Sequence, residues 1–392
     1  MAVNKFDNSM LDAGTIGTTA NKLVQLDGSA KMSAVDGSLL TSIPSSFTKS
    51  ASDPVVTTNP SGGVGSLWVN TTSGETYCCT DETAGENVWT NVGAGTGDIQ
   101  PWGFQGTAYG YHFGSNDNDN GSIQKYSFAS DGNATDLGTV TVPRNTWVGF
   151  TAETHGYLAG GDSSGGNVID RVEYASDSSM SDVGDMITAR RSSGGSNNAT
   201  YGYIHGGYRA SPAATVDVIE RFQMAASASG ADVGDLTVAR NYPGGNSDVG
   251  NDYGYCTGGY GPPSFSNVID RYQMVASANA ADVGDMSNGS PSHANQSTET
   301  HGYQAGFGET GQANHIRKFA FGSSATGSDV GNLPSTDGFG LGGNSSTTHG
   351  YVTSCGAIYS NQIGKYSFSS DGNSTDVGDL TVARVYIAGT HV

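Results

Sequence analysis

Basic side chains are scarce in this sequence: 17 Lys and Arg stand against 37 Asp and Glu, a formal charge of −20. No basic stripe relieves that charge, so the surface repels phosphate and nucleic-acid binding is not expected. No run of 18 apolar residues occurs, so no membrane-spanning helix and no membrane insertion are expected. The opening MAVNKFDNSMLDAG lacks the apolar stretch of a signal peptide, and export by that route is not expected. Cysteine is nearly absent. Cys78, Cys79, Cys256 and Cys355 are too few for a disulfide framework. Cys78 and Cys79 are adjacent and would face opposite ways in a strand, which argues against a zinc knuckle. All four read as ordinary buried or half-buried thiols.

Catalytic constellations are also missing. The eight His show no His-Glu-x-x-His spacing. Gly161-Asp162-Ser163-Ser164-Gly165 has the form of a nucleophile elbow, and Gly338-x-Gly340-x-x-Gly343 that of a dinucleotide fingerprint. Neither lies between a strand and a helix, where such motifs act. Asn116-Asp117-Asn118-Asp119-Asn120-Gly121 begins like a calcium loop but lacks the closing Glu, and reads as an Asx-rich turn. No catalytic residue, cofactor or metal is assigned, and an enzyme is not expected.

What the chain has in excess is glycine, 59 of 392 residues, with much Ser, Thr, Asn and Asp. That composition suits short strands and tight turns, because Gly, Asn and Asp accept positive φ. Repeats organise the last three quarters. An Asp-[Val/Leu]-Gly triplet begins at Asp136, Asp182, Asp232, Asp282, Asp329 and Asp376. A [His/Tyr]-Gly-Tyr triplet ends at Tyr111, Tyr157, Tyr203, Tyr255, Tyr303 and Tyr351. Between them lies Ile-x-[Lys/Arg] followed by large residues in alternation, as in Ile219, Arg221, Phe222 and Met224. Period-two alternation marks strands. Each repeat therefore reads as four short strands, the size of a propeller blade, and residues 98–392 as a six-bladed β-propeller. Val385–Val392 follows a Thr-x-Ala-Arg repeat ending and is expected to complete the first blade and close the ring.

The basic residue and the later Asp are 11 apart in every repeat: Lys125 and Asp136, Arg171 and Asp182, Arg221 and Asp232, Arg271 and Asp282, Lys318 and Asp329, Lys365 and Asp376. A fixed offset across a hairpin means a fixed cross-strand position, and one ion pair per blade is expected. Binding surfaces on such a fold lie on loops. The fourth repeat exposes Tyr260-Gly261-Pro262-Pro263-Ser264-Phe265, and Tyr208-Arg209 holds the same place in the third. Tyr208, Arg209, Tyr260 and Phe265 are the candidate contacts for a receptor or partner.

The Gly-Gly after an aromatic strand, as at Gly160-Gly161, Gly206-Gly207 and Gly258-Gly259, resembles the kelch repeat, without its usual later Trp. The wording His-Gly-Tyr, then Ile-x-Lys-Tyr-Ser-Phe-x-Ser-Asp-Gly-Asn-x-Thr-Asp-Val-Gly-Asp-Leu-Thr-Val-Ala-Arg, looks like repeats in virion proteins of tailed bacteriophages of aquatic bacteria. Asn21–Ser29 and Ala34–Leu40 look like segments near the N-termini of phage tail fibres. The resemblance implies an all-β protein: an N-terminal attachment and oligomerisation segment (1–50), a small β module with linker (51–97), and a kelch-like propeller (98–392). It further implies a tail fibre or tail-associated adhesin located in the virion. Its N-terminus would bind other virion proteins and trimerise, and its propeller would bind a glycan or protein of the host surface. The alternative is a structural virion component without receptor contact: a head decoration, a baseplate or a nozzle part. In the module, Gly65–Asn70, Glu75–Cys79 and Asn87–Asn91 read as three strands. Trp68 and Trp89 there suit a sugar-binding face or, more commonly, a core.

Overall fold

The computed structural model describes residues 47–92, 102–114, 121–145, 148–162, 166–226, 229–291, 294–306, 314–322, 324–335, 340–355 and 359–392. Most of the expected attachment segment, linker residues 94–97, Asn116–Asn120, Ser163–Gly165 and Gly338 lie outside them. The chain divides into two compact units, Met1–Pro101 and Trp102–Val392. Both are built of strands, and no α-helix occurs among the described residues.

The first unit holds one sheet of four strands, Phe47–Ser50, Leu67–Asn70, Thr76–Asp81 and Val88–Asn91, in chain order. The extra strand, Phe47–Ser50, pairs parallel to Leu67–Asn70 and was expected to belong to the segment before the module. Trp89 is buried with Tyr77 and Cys79, and Trp68 packs edge-on against it with centroids 5.9 Å apart. The pair serves as a core here.

In the second unit each repeat makes a sheet with four antiparallel strands, to which the short parallel strand Ala325–Thr326 adds a fifth in the fourth repeat, so the unit is propeller-like. The six first strands are Ala388–His391, Val148–Thr151, Gly194–Asn197, Gly244–Asp248, Ala294–Ser297 and Gly342–Ser345. Each lies beside the first strand of the next sheet, in cyclic order. Ala388–His391 pairs with Tyr109–Phe113, so the last strand of the chain is the first strand of the first sheet.

Two cycles of hydrogen bonds tie these sheets together. Near the axis, the backbone N–H of Thr151, Asn197, Ser247, Ser297, Ser345 and His391 each donates to the side chain of the next residue in that series. His391 N–H returns to Thr151 Oγ1, and the distances run from 2.9 to 3.4 Å. At the outer edge, the carbonyls of Thr139, Asp185, Asp235, Asp285, Asn332 and Asp379 accept the N–H of Met180, Gly230, Ala280, Gly327, Ser374 and Ala134, at 2.8–3.0 Å. Satisfied buried polar groups of this kind fix register as well as stability.

The Asp-[Val/Leu]-Gly triplet explains the outer contact. Ile269 pairs with Gly284 and Asp270 with Asp282, so Val283 is the extra residue of a β-bulge. The same shift follows Ile123, Ile169, Ile219, Ile316 and Ile363. The glycine admits the next sheet's loop: a Cβ on Gly284 would lie 1.7 Å from Ala325 O, and one on Gly378 2.2 Å from Gly132 O.

The bulge also overturns the expected ion pairs. Lys125 stands opposite Thr135, and Asp136 opposite Gln124. Asp136, Asp182, Asp232, Asp282, Asp329 and Asp376 each accept the N–H of the glycine two residues on, at 3.0–3.2 Å. The basic residues turn elsewhere. Lys125, Lys318 and Lys365 reach the neighbouring sheet's Asp177, Asp371 and Asp131 at 2.7–3.1 Å. Arg221 and Arg271 lie over the rings of Tyr201 and Tyr253, at 4.7 and 4.4 Å. A double-mutant cycle of Arg221→Ala with Asp232→Ala should therefore be additive. Lys125→Ala with Asp177→Ala should show a coupling of about 0.5–1 kcal/mol, typical of a partly exposed pair. Denaturant titration of the four proteins in each cycle decides, and coupling confined to Arg221–Asp232 would refute the assignment.

Candidate functional site

The arginine that ends a repeat forms a buried clasp. Arg144, Arg190 and Arg240 meet Asp170, Glu220 and Asp270 of the next sheet at 2.9, 3.0 and 2.7 Å, with both partners almost wholly buried. Thr237 closes on the same carboxylate, its Oγ1 donating to Asp270 Oδ1 at 2.7 Å. Gly160-Gly161 and Gly206-Gly207 turn beneath the clasp with positive φ, and a Cβ on Gly206 would lie 2.5 Å from Arg240 O. Burial pushes the carboxyls of Asp170 and Glu220 up, against the pull of their arginines. These acids face guanidinium groups and the interior, so the clasp is structural.

Beyond the clasp the chain turns to begin the next first strand, and here it lines a cavity of about 150 Å³ on the axis. Its waist is set by Gly149, Gly195, Gly245, Asn295, Gly343 and Gly389, the residues that place the first strands side by side. A Cβ on Gly389 would lie 2.3 Å from Gly343 O, and one on Gly245 1.9 Å from Gly195 O. One end is floored by Phe104 and His391, whose rings meet edge-on at 4.9 Å. His391 Nε2 donates to Phe104 O at 2.7 Å, and Val392 O gathers the N–H groups of Thr107, Ala108 and Tyr109. The chain thus enters this unit at the floored end.

The other end is the rim, where Ser192, Tyr242, Gly340 and Tyr386 all have left-handed backbone, with φ of 55°, 53°, 66° and 55°. Among the described residues the lining contains no Asp, Glu, Lys or Arg. Burial holds His391 at about 4, so it is neutral near pH 7. What the lining offers is backbone amides, Ser, Thr and Asn side chains, and two tyrosines.

The expected contact residues lie on two hairpins paired to the chain beside this rim, and none of the four lines the cavity. Tyr208–Ala210 forms a hairpin with Ala213–Thr215 and pairs Tyr208 with Arg191, next to the rim residue Ser192. The Arg191 guanidinium lies 5.1 Å from the Tyr208 ring centroid and meets Asp162 at 2.6 Å. Tyr260 pairs with Phe265 across a second hairpin and bridges to Asn241, next to the rim residue Tyr242. The Tyr260 and Phe265 rings pack edge-on at 5.7 Å, and Phe265 is 37% exposed. Arg209 turns its Nε to Pro212 O at 3.1 Å, within its own hairpin. The sequence reading missed Tyr242 and Tyr386. Both stand two residues after a repeat-ending Arg, a spacing that would have revealed them.

Other chemistry is quiet. Burial raises the thiols of Cys256 and Cys355 to about 11 and about 12, so neither is a nucleophile near neutral pH. No cluster of His, Cys, Asp and Glu suited to a metal occurs among the described residues. No helix among them is long and apolar enough to cross a membrane.

No family model matches the chain, and no curated protein matches it. Solved structures do: 235 chains match. One, titled "Structure of YjhT", is 14% identical, covers 63% of this chain and 87% of its own, and superposes with a TM-score of 0.52. The likeness is one of fold and defines the class: an all-β, propeller-like protein.

Proposed function

We propose that the protein is a tail fibre or tail-associated adhesin of a bacteriophage virion, and that Trp102–Val392 is a six-bladed, kelch-like β-propeller that meets the host cell surface with its open end. The observation that carries this reading is the placement of Tyr208, Tyr260 and Phe265 on hairpins paired to Arg191 and Asn241, next to the rim of the axial recess, at the end away from Phe104. Aromatic rings beside polar loops are the usual anchors of a contact surface. The wording of the repeats supports a virion origin. On this reading the N-terminal segment binds other virion proteins and assembles a trimer.

The test is sedimentation of labelled full-length protein with a panel of aquatic bacteria. One or more strains should carry the protein down. Replacing Tyr208, Tyr260 and Phe265 together with Ala should lower that binding at least about tenfold, as expected when two or three anchors are lost. Protein that binds phage particles lacking it, but no cell in the panel, would replace the adhesin reading with a structural virion component.

A further inference from the structure

We infer that the axial recess holds a single uncharged sugar ring, entering from the rim and gripped between Tyr242 and Tyr386. This gives a ligand class to the open end of the proposed adhesin and rests on that reading.

Three observations converge. The first is backbone strain in the wrong residue type. The rim turn needs left-handed backbone, which glycine adopts freely and tyrosine does not. Gly340 fills that place in one sheet, yet Tyr242 and Tyr386 fill it in two others, each with φ above 50°. A chain with 59 glycines has the easier residue at hand. Strain kept where glycine would relieve it marks a side chain with work to do. The two tyrosines are also close enough to influence each other: the Tyr386 hydroxyl is raised by burial and by the nearby phenols of Tyr242 and Tyr359. Tyr359 is 58% exposed, so the aromatic edge continues outward from the recess.

The second is polarity without charge. Among the described residues the lining joins aromatic faces to Ser193, Thr151, Asn197, Ser247 and Asn295, of which Thr151, Asn197 and Ser247 also accept within the axial cycle, and shows no acidic or cationic side chain. Aromatic faces receive the C–H face of a sugar ring, and neutral donors and acceptors receive its hydroxyls. A phosphate or carboxylate would find no cation among these described residues, and would also meet a protein of charge −20. The third is size. About 150 Å³ is on the scale of one ring, well below the ~300–1,000 Å³ of pockets that enclose larger ligands. The Phe104–His391 floor stops a chain of sugars from threading through, so the ring it takes is a terminal one.

The test uses full-length protein, with glucose, galactose, mannose, rhamnose and N-acetylglucosamine as probes and glucuronate as the charged comparator. Saturation-transfer NMR should show one or more neutral sugars bound and glucuronate unbound. Tyr242→Gly with Tyr386→Gly should weaken that binding at least about tenfold while leaving the melting temperature unchanged or higher, because glycine relieves the strained turns. Neutral sugars that all fail while cells still bind would overturn the inference and leave the adhesin standing. A bound sugar on a protein that binds no cell would do the reverse. Sugar binding that survives the double glycine variant, or binding of glucuronate alone, would also overturn the inference.

Discussion

Removal of Tyr386–Val392 should abolish the cooperative melting of Trp102–Val392. The segment supplies the innermost strand of the first sheet, pairing Ala388–His391 with Gly110–Phe113. It carries two hydrogen bonds of the axial cycle, since His391 Nδ1 accepts from Ser345 and His391 N–H donates to Thr151. Val392 O holds three backbone N–H groups of the entering chain. Ile387 and Ala388 are buried in two different clusters of the core. Deleting seven residues out of 392 therefore opens a ring, exposes the edge of the first sheet, strips packing from the first strands on either side and orphans polar groups at the axis. The expected loss is comparable to the whole stability of a domain, about 5–15 kcal/mol. Circular dichroism and calorimetry of the truncated protein would show it. An unchanged melting transition would mean that the ring does not depend on its last strand. Gly389→Val is the subtler companion: it keeps the strand but drives a side chain into the Gly343 carbonyl.

Mild acid should be nearly as damaging. Burial depresses His112 and His205 to about 3 and His391 to about 4. Each ring uses one nitrogen as an acceptor or shares it with a hydroxyl. His391 Nδ1 faces Ser345 N–H, His205 Nδ1 faces the Tyr272 hydroxyl, and His112 Nδ1 faces Thr353 Oγ1. A proton added there would confront a donor in a dry interior. The folded pKa values lie below the ordinary value near 6.5, so the stability they carry is complete above that pH. It drains as the pH falls towards 4, where the unfolded chain binds protons that the folded chain refuses. Each such histidine is worth about 1.4 kcal/mol per pH unit in that window, and the three together about 4. The raised carboxyls of Asp170 and Glu220 act in the opposite sense, but nearer the carboxylate range. Urea midpoints at pH 7, 6 and 5 should fall steeply, and His205→Gln should remove about a third of the slope. A flat profile from pH 7 to 5 would contradict the burial of these rings.

Much of the ring was legible because its parts are local and repeated. The Gly-Tyr strands, the Ile-x-basic strands and the Asp-x-Gly triplets all lie on strands at the expected spacing. The constant 11-residue offset did report a fixed cross-strand register, but not an ion pair. A bulge is invisible to a count of residues, and it moved each Asp one place from its expected partner. The buried clasps escaped notice because their members lie in different repeats: Arg240 ends one, Asp270 begins the chemistry of the next. Their trace was present all the same. The residue before the basic position is acidic in Asp170, Glu220 and Asp270, after repeats that end in Arg. After the repeat that ends in Ser290, that place is taken by Arg317. At the site, Tyr208, Tyr260 and Phe265 were visible as unusual loop composition. The recess was not, because it is assembled from single residues of several repeats that meet only once the ring closes.

The two hydrogen-bond cycles have a mechanical consequence. A sheet held to its neighbours at the hub alone could splay like a petal, and one held at the circumference alone could buckle inward. Here every sheet is pinned at both radii, by Ser, Asn, Thr and His side chains near the hub and by backbone carbonyls at the edge. A pull along the axis is then borne as shear shared among six seams at once. No single seam is left to peel, and a load applied at the rim would reach the Val392–Ala108 junction already divided.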